Sequence, residues 1–148
     1  MINCTFENGN KAKLRHVVVD SIAVKNNKIL LVKRGPNHVS PGKYGVPGGF
    51  VELNETTKDA ALRELKEETG YEGKITRLVA VIDDPNRKNE DRQNISFIYE
   101  IEVLDKTGEH DDEIKSVHWF DVKNLPPEED FAFDHLEIIQ TYLAKKFD

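Results

Sequence analysis

The stretch 49–71, GFVELNETTKDAALRELKEETGY, decides the reading of this chain, because a glycine-rich turn runs directly into a segment that stacks carboxylates at helical spacing. Thr56 stands where a helix N-cap belongs, with Asp59 three residues on to close a capping box, and Gly70 is placed to end the helix in a left-handed conformation. These signals predict a helix over 57–69. At ~100° per residue, Glu64, Glu67 and Glu68 lie at i, i+3 and i+4, so their carboxylates share one side, while Ala61, Leu62 and Leu65 form an apolar side. Like charges this close repel. An oxygen-rich, sulfur-free cluster suits a hard divalent cation, and Mg²⁺ in particular takes a few carboxylates together with water and substrate phosphates. A solvated Glu/Lys helix is the competing reading of composition alone. Val46-Pro47-Gly48-Gly49, immediately upstream, favours the ligand reading, because backbone without Cβ atoms can approach an ion or a phosphate closely.

Working outward, the length of 148 residues fits one domain spanning the chain, and no repeat, low-complexity tract or long linker divides it. A formal charge of −6 argues against a nucleic-acid-binding face, which needs clustered Lys and Arg. An anionic nucleotide would have to enter through bound metal and a few local cations. Cys4 is the only cysteine, ordinary for a reducing compartment, and no apolar run resembles a signal peptide or a membrane span. The expectation is a soluble, cytoplasmic protein without nucleic-acid or membrane partners, with a homodimer left open.

Residues 16–24 and 28–34 read as two strands around an Asn26-Asn27 turn. Residues 35–44 hold two prolines, two glycines and a serine and read as a loop. Residues 74–82, 94–104 and 114–120 read as strands, and the polar segment 83–92 between the first two is the natural place for a substrate loop. Residues 133–146 read as an amphipathic terminal helix, with Asp134 and Glu137 offering a second capping box. Mixed strands with two helices fit an α/β/α sandwich with a mixed sheet. The five histidines, His16, His38, His110, His118 and His135, show no ligand spacing.

Gly49, five residues, Glu55, seven residues, Arg63-Glu64-Leu65, one residue, Glu67-Glu68, one residue and Gly70 together resemble the signature box of the Nudix hydrolases. Tyr71 departs mildly, since the family usually has an aliphatic residue there. A long gapped pattern with every polar and glycine position filled is a specific signal. The resemblance implies the same α/β/α sandwich and cleavage of a nucleoside diphosphate linked to another moiety. It implies that Glu64, Glu67 and Glu68, with the Gly48 carbonyl, bind Mg²⁺, for which Mn²⁺ is a possible substitute. The metal would neutralise a diphosphate and activate the attacking water.

Around that box, Arg63 is expected to orient Glu64 or pair with Glu55. Glu113 is a loop carboxylate that could serve as a late metal ligand or general base, or be a solvated turn. Arg34, Arg87 and Arg92 are candidate phosphate contacts, Gly49 lets the substrate approach, and Tyr44 or Phe50 could stack on a base or simply pack. Pro85, fifteen residues after Gly70, within Asp83-Asp84-Pro85-Asn86-Arg87, resembles the loop of the ADP-ribose pyrophosphatases within the family, as do Pro47-Gly48-Gly49-Phe50-Val51-Glu52 and the stretch 131–135, FAFDH. The small-molecule substrate implied is ADP-ribose, cleaved to AMP and ribose 5-phosphate. A nucleoside-triphosphate pyrophosphatase and a non-catalytic nucleotide sensor are the alternatives.

Overall fold

The computed structural model describes residues 1–90, 92–145 and 147. In chain order it contains β1 (Ile2–Thr5), β2 (Lys11–Leu14), β3 (Val17–Lys25), β4 (Lys28–Arg34), β5 (Tyr44–Gly45), β6 (Gly48–Phe50), α1 (Thr57–Thr69), β7 (Tyr71–Ile82), β8 (Ile95–Lys106), β9 (Ile114–Asp121) and α2 (His135–Leu143). A single 3-10 turn, Glu128–Asp130, precedes α2.

The main sheet runs β5-β4-β3-β8-β7, with β6 added to β3 and β9 to β4. β3 pairs antiparallel with β4 and parallel with β8, so the sheet is mixed as expected. Asn26 and Asn27 take φ of 51° and 60°, the two left-handed residues that a tight two-residue hairpin requires. Along β3 the side chains alternate between two cores. Val19 and Ala23 pack with Ala60, Ala61 and Leu65 of α1. Ile22 packs with Ile138 and Ile139 of α2. The period-two alternation of one central strand therefore builds the α/β/α layers.

α1 has the predicted bounds. Thr56 and Asp59 make both capping-box hydrogen bonds, and Gly70 closes the helix at φ 77°. Three expectations are revised. The terminal helix begins at His135, not at 133, and ends at Leu143; Lys146 lies outside the described residues. The second capping box is absent, because Phe133 takes φ 53° and the Asp134 carboxylate is drawn away to Arg87. The glycine turn is in part a strand, since Gly48 and Gly49 lie opposite Asp20 and Val19 in β6. The hairpin of β1 and β2 is an addition to the sequence reading, for which Asn8-Gly9 was the available turn signal. Among the described residues no helix is long and apolar enough to cross a membrane.

Candidate active site

The box brings its polar groups together by two routes. Within α1, helical periodicity aligns Glu64, Glu67 and Glu68. β6 passes so close to its neighbours that a side chain would collide: a Cβ on Gly49 would lie 2.3 Å from the Glu64 carboxylate of α1, and one on Gly48 would lie 2.2 Å from the Val19 carbonyl of β3. Glycine is needed here for close approach, not for an unusual φ. The freed space lets the Gly48 N–H donate to Glu68 Oε2 at 3.0 Å.

Arg63 is the organiser of the carboxylates. Its guanidinium donates to Glu55 at 2.7 and 3.0 Å, to Glu64 at 2.9 Å, to Glu67 at 3.1 Å and to the Phe50 carbonyl at 3.0 Å. It thus does both things expected of it, orienting Glu64 and pairing with Glu55. The Arg63 hydrogen bonds hold the Glu55 carboxyl down at about 2, and Glu55 in turn raises the Arg63 pKa. Glu64 and Glu68 move the other way. Burial raises Glu64 despite its bond to Arg63, and it raises Glu68 further still, with one Gly48 N–H in opposition. Glu68 is 7% exposed, whereas Glu67 is 48% exposed at the side chain.

A buried carboxylate with so little compensation favours a nearby cation. Among the described residues, no three acidic, histidine or cysteine side chains already converge into a cage. Arg63 draws Glu64 and Glu67 toward itself instead. The three carboxylates, all oxygen donors lining the cavity together with Gly48, could hold a hard divalent ion that completes its shell with water and substrate phosphate.

These groups form one side of a cavity of about 490 Å³. Arg34, Glu113, Arg87 and Arg92 also line it. Arg34 stands behind Phe133, its guanidinium 5.0 Å from the ring centre, and donates to the Val39 carbonyl at 2.6 Å. Burial lowers its pKa. Glu113 sits at the mouth, 3.5 Å from His38. The Arg92 guanidinium lies 5.9 Å from the Phe50 ring centre, and Phe50 is exposed with His16 against its edge. Tyr44 packs among Phe120, Phe131 and His118.

Arg87, which lines the cavity, has a partner that no sequence signal marks: its Nε and Nη2 each donate to Asp134 at 2.9 Å in a nearly buried pair. Although burial pushes the guanidinium pKa down, the Asp134 bonds raise it on balance.

Sequence reasoning also missed a polar cluster beside the glycine strand, of which Asp20 and His135 line the same cavity. The Ser96 hydroxyl donates to Asp20 Oδ2, and Asp20 Oδ1 faces His135 Nε2 at 3.8 Å. The Val46 N–H donates to His135 Nδ1 at 3.2 Å, which places the ring proton on Nε2. Burial lowers the His135 pKa, so the ring is neutral. No local spacing signals this cluster, because its members lie on β3, β8 and α2.

An open oxygen-donor set facing arginines in one cavity is the chemistry of a metal-assisted polyphosphate site. The chain belongs to the Nudix family, whose NUDIX domain model matches residues 14–142, and its class is that of a Nudix pyrophosphohydrolase. It is 41% identical over 130 residues to the ADP-ribose pyrophosphatase of Methanocaldococcus jannaschii, covering 88% of this chain and 74% of that protein. It is also 32% identical over 87 residues to human diphosphoinositol polyphosphate phosphohydrolase 3-beta, covering 57% of this chain and 51% of that protein. Among solved structures, the NUDIX domain of Shewanella oneidensis NrtR complexed with ADP ribose matches with a TM-score of 0.73 at 25% identity, covering 91% of this chain and 90% of that one.

Proposed function

We propose that this protein hydrolyses ADP-ribose to AMP and ribose 5-phosphate in a Mg²⁺-dependent reaction, with Mn²⁺ able to substitute. The observation that carries the reading is the box itself, complete and facing a cavity in a chain 41% identical to an ADP-ribose pyrophosphatase over 88% of its length.

Glu64, Glu67 and Glu68, with the Gly48 carbonyl, hold the ion. When bound, Mg²⁺ supplies neutralisation of the diphosphate and a more acidic attacking water. Arg63 aims Glu64 and Glu67, and Gly49 leaves room for the Glu64 carboxylate. Arg34 and Arg92, which line the same cavity, offer guanidinium groups to the phosphates. Glu113, a carboxylate lining the same cavity, serves as the general base. The reaction leaves little covalent work for the protein beyond positioning and charge stabilisation. A cytoplasmic setting and assembly as a homodimer complete the reading, supported respectively by the lone free thiol of Cys4 and by the exposed apolar Ile2, Phe6 and Leu14 around the β1–β2 hairpin.

Initial rates with ADP-ribose and with a panel of canonical and oxidised nucleoside triphosphates test the substrate. ADP-ribose is expected to have the highest kcat/KM. Faster turnover of dGTP or its oxidised form at matched subsaturating concentration would replace this reading with nucleotide-pool sanitising.

A further inference from the structure

The loop that follows β7 is built as a strap with three fastenings. Arg15 closes its base, donating from Nη2 to the Asp83 carbonyl and from Nε to the Gln93 carbonyl, each at 2.6 Å. Lys88 reaches Glu128 at 2.6 Å, but both are exposed, so that pair holds weakly. The middle is fastened by Arg87 on Asp134, whose side chains are 5% and 9% exposed. Asp134 takes the Nε and Nη2 edge of the guanidinium and so fixes which way Arg87 faces, and removing either partner leaves the other buried without its counter-charge.

Asp134 belongs to a five-residue segment, 131–135, that touches the other walls as well. The Ala132 N–H donates to the Tyr44 carbonyl at 2.8 Å. Phe133, at φ 53°, stacks under Arg34. His135 accepts from the Val46 N–H, two residues before Gly48. Left-handed backbone at a non-glycine residue is maintained only where its surroundings impose it. The segment therefore joins the substrate loop, the Arg34 wall and the glycine strand through consecutive residues. Beyond Arg87 the strap continues to Glu90, whose carboxylate accepts the Arg92 and Asn94 N–H groups at 2.9 Å each. Asn94 lines the cavity, and its buried Oδ1 has no hydrogen-bond partner among the described residues. That acceptor is suited to an N–H or O–H donor on a bound nucleotide derivative.

We propose that Arg87 and Asp134 are paired positioning residues that set substrate selectivity, fastening the loop wall and its Asn94 acceptor to segment 131–135. The proposal rests on the nucleotide-hydrolase reading of the same cavity. It requires the two residues to act as one unit, whereas with an arginine that acts independently of its carboxylate, activity would be lost when Arg87 is removed and Asp134 kept, and nothing would be lost when Asp134 alone is removed.

The test is a double-mutant cycle on the full-length protein with Mg²⁺, using Arg87→Ala, Asp134→Ala and the double variant against ADP-ribose and the triphosphate panel. Each single change is expected to lower kcat/KM for the preferred substrate by about tenfold or more, mostly through KM, to narrow its lead over the other substrates, and to leave the double variant no worse than the poorer single. Asp134→Ala near wild type beside a severe Arg87→Ala loss would overturn the proposal, and so would losses that multiply in the double variant. If the alanine variants do not fold, Arg87→Lys and Asp134→Asn carry the same comparison. Should the wild type prefer a substrate other than ADP-ribose, the cycle is run on that substrate, so the ADP-ribose assignment fails separately from the paired action of Arg87 and Asp134.

Discussion

Helix α1 and the segment leading into α2 contribute to the same cavity in opposite ways. α1 brings chemistry on its own side chains, with Glu64, Glu67 and Glu68 spaced by helical geometry and Arg63 trained on two of them. Segment 131–135 brings no carboxylate to the box. Its polar groups are spent on other parts of the protein, Asp134 on Arg87 and His135 on Val46. The difference teaches that reactive groups can be carried by one short piece of sequence while the walls that give them a shape are tied together from far along the chain. Changes in α1 should strike rate, and changes in 131–135 should strike stability and selectivity.

The largest effect should come from the carboxylates. Glu67→Gln and Glu68→Gln are each expected to cut kcat by orders of magnitude, with the chemical-denaturation midpoint of Glu68→Gln held or raised, because a buried charge has been removed. Wild-type turnover in both variants would erase the contrast with 131–135.

Next in size is the loss of the buried pair. Asp134→Ala should destabilise the fold by about 3 to 5 kcal/mol, since Arg87 is left uncompensated. In the same loop, Lys88→Ala should cost under about 1 kcal/mol, because its partner Glu128 is exposed. Urea titration separates the two, and equal small losses would show that segment 131–135 is not a structural tie.

The sequence disclosed α1 almost completely because every signal lies within one helix: Thr56 to Asp59 for the cap, Glu64 to Glu68 for the carboxylates and Gly70 for the end. The layered fold was readable for a related reason, since the apolar pattern of β3 is local. The ties of 131–135 were not. Asp134 meets a partner 47 positions away and His135 one 89 positions away, and nothing in the run FAFDH marks either pairing. Asp134 was read as a helix cap because that is what an aspartate before a helix does when no arginine competes for it. Nothing around Arg87 in the sequence marks Asp134 as its partner.

The smallest predicted effect is in acid. Glu55 titrates near 2 when folded, below its ordinary 4.5, because Arg63 bonds to its carboxylate. As pH falls below about 4.5 the unfolded chain takes up this proton first, so the stability from the pair is present above that pH and is lost toward pH 2. Glu55→Gln should therefore lose less stability than wild type between those two values. Parallel curves would mean that Arg63 is held by its other partners alone.

The central claim is that the carboxylate face of α1 performs metal-dependent hydrolysis, and one measurement meets it directly: ADP-ribose incubated with the wild-type protein, with Mg²⁺ or with excess chelator, and products separated by chromatography. The account predicts AMP and ribose 5-phosphate with Mg²⁺ and intact ADP-ribose in chelator. Equal product in both, or no product with Mg²⁺, would contradict it.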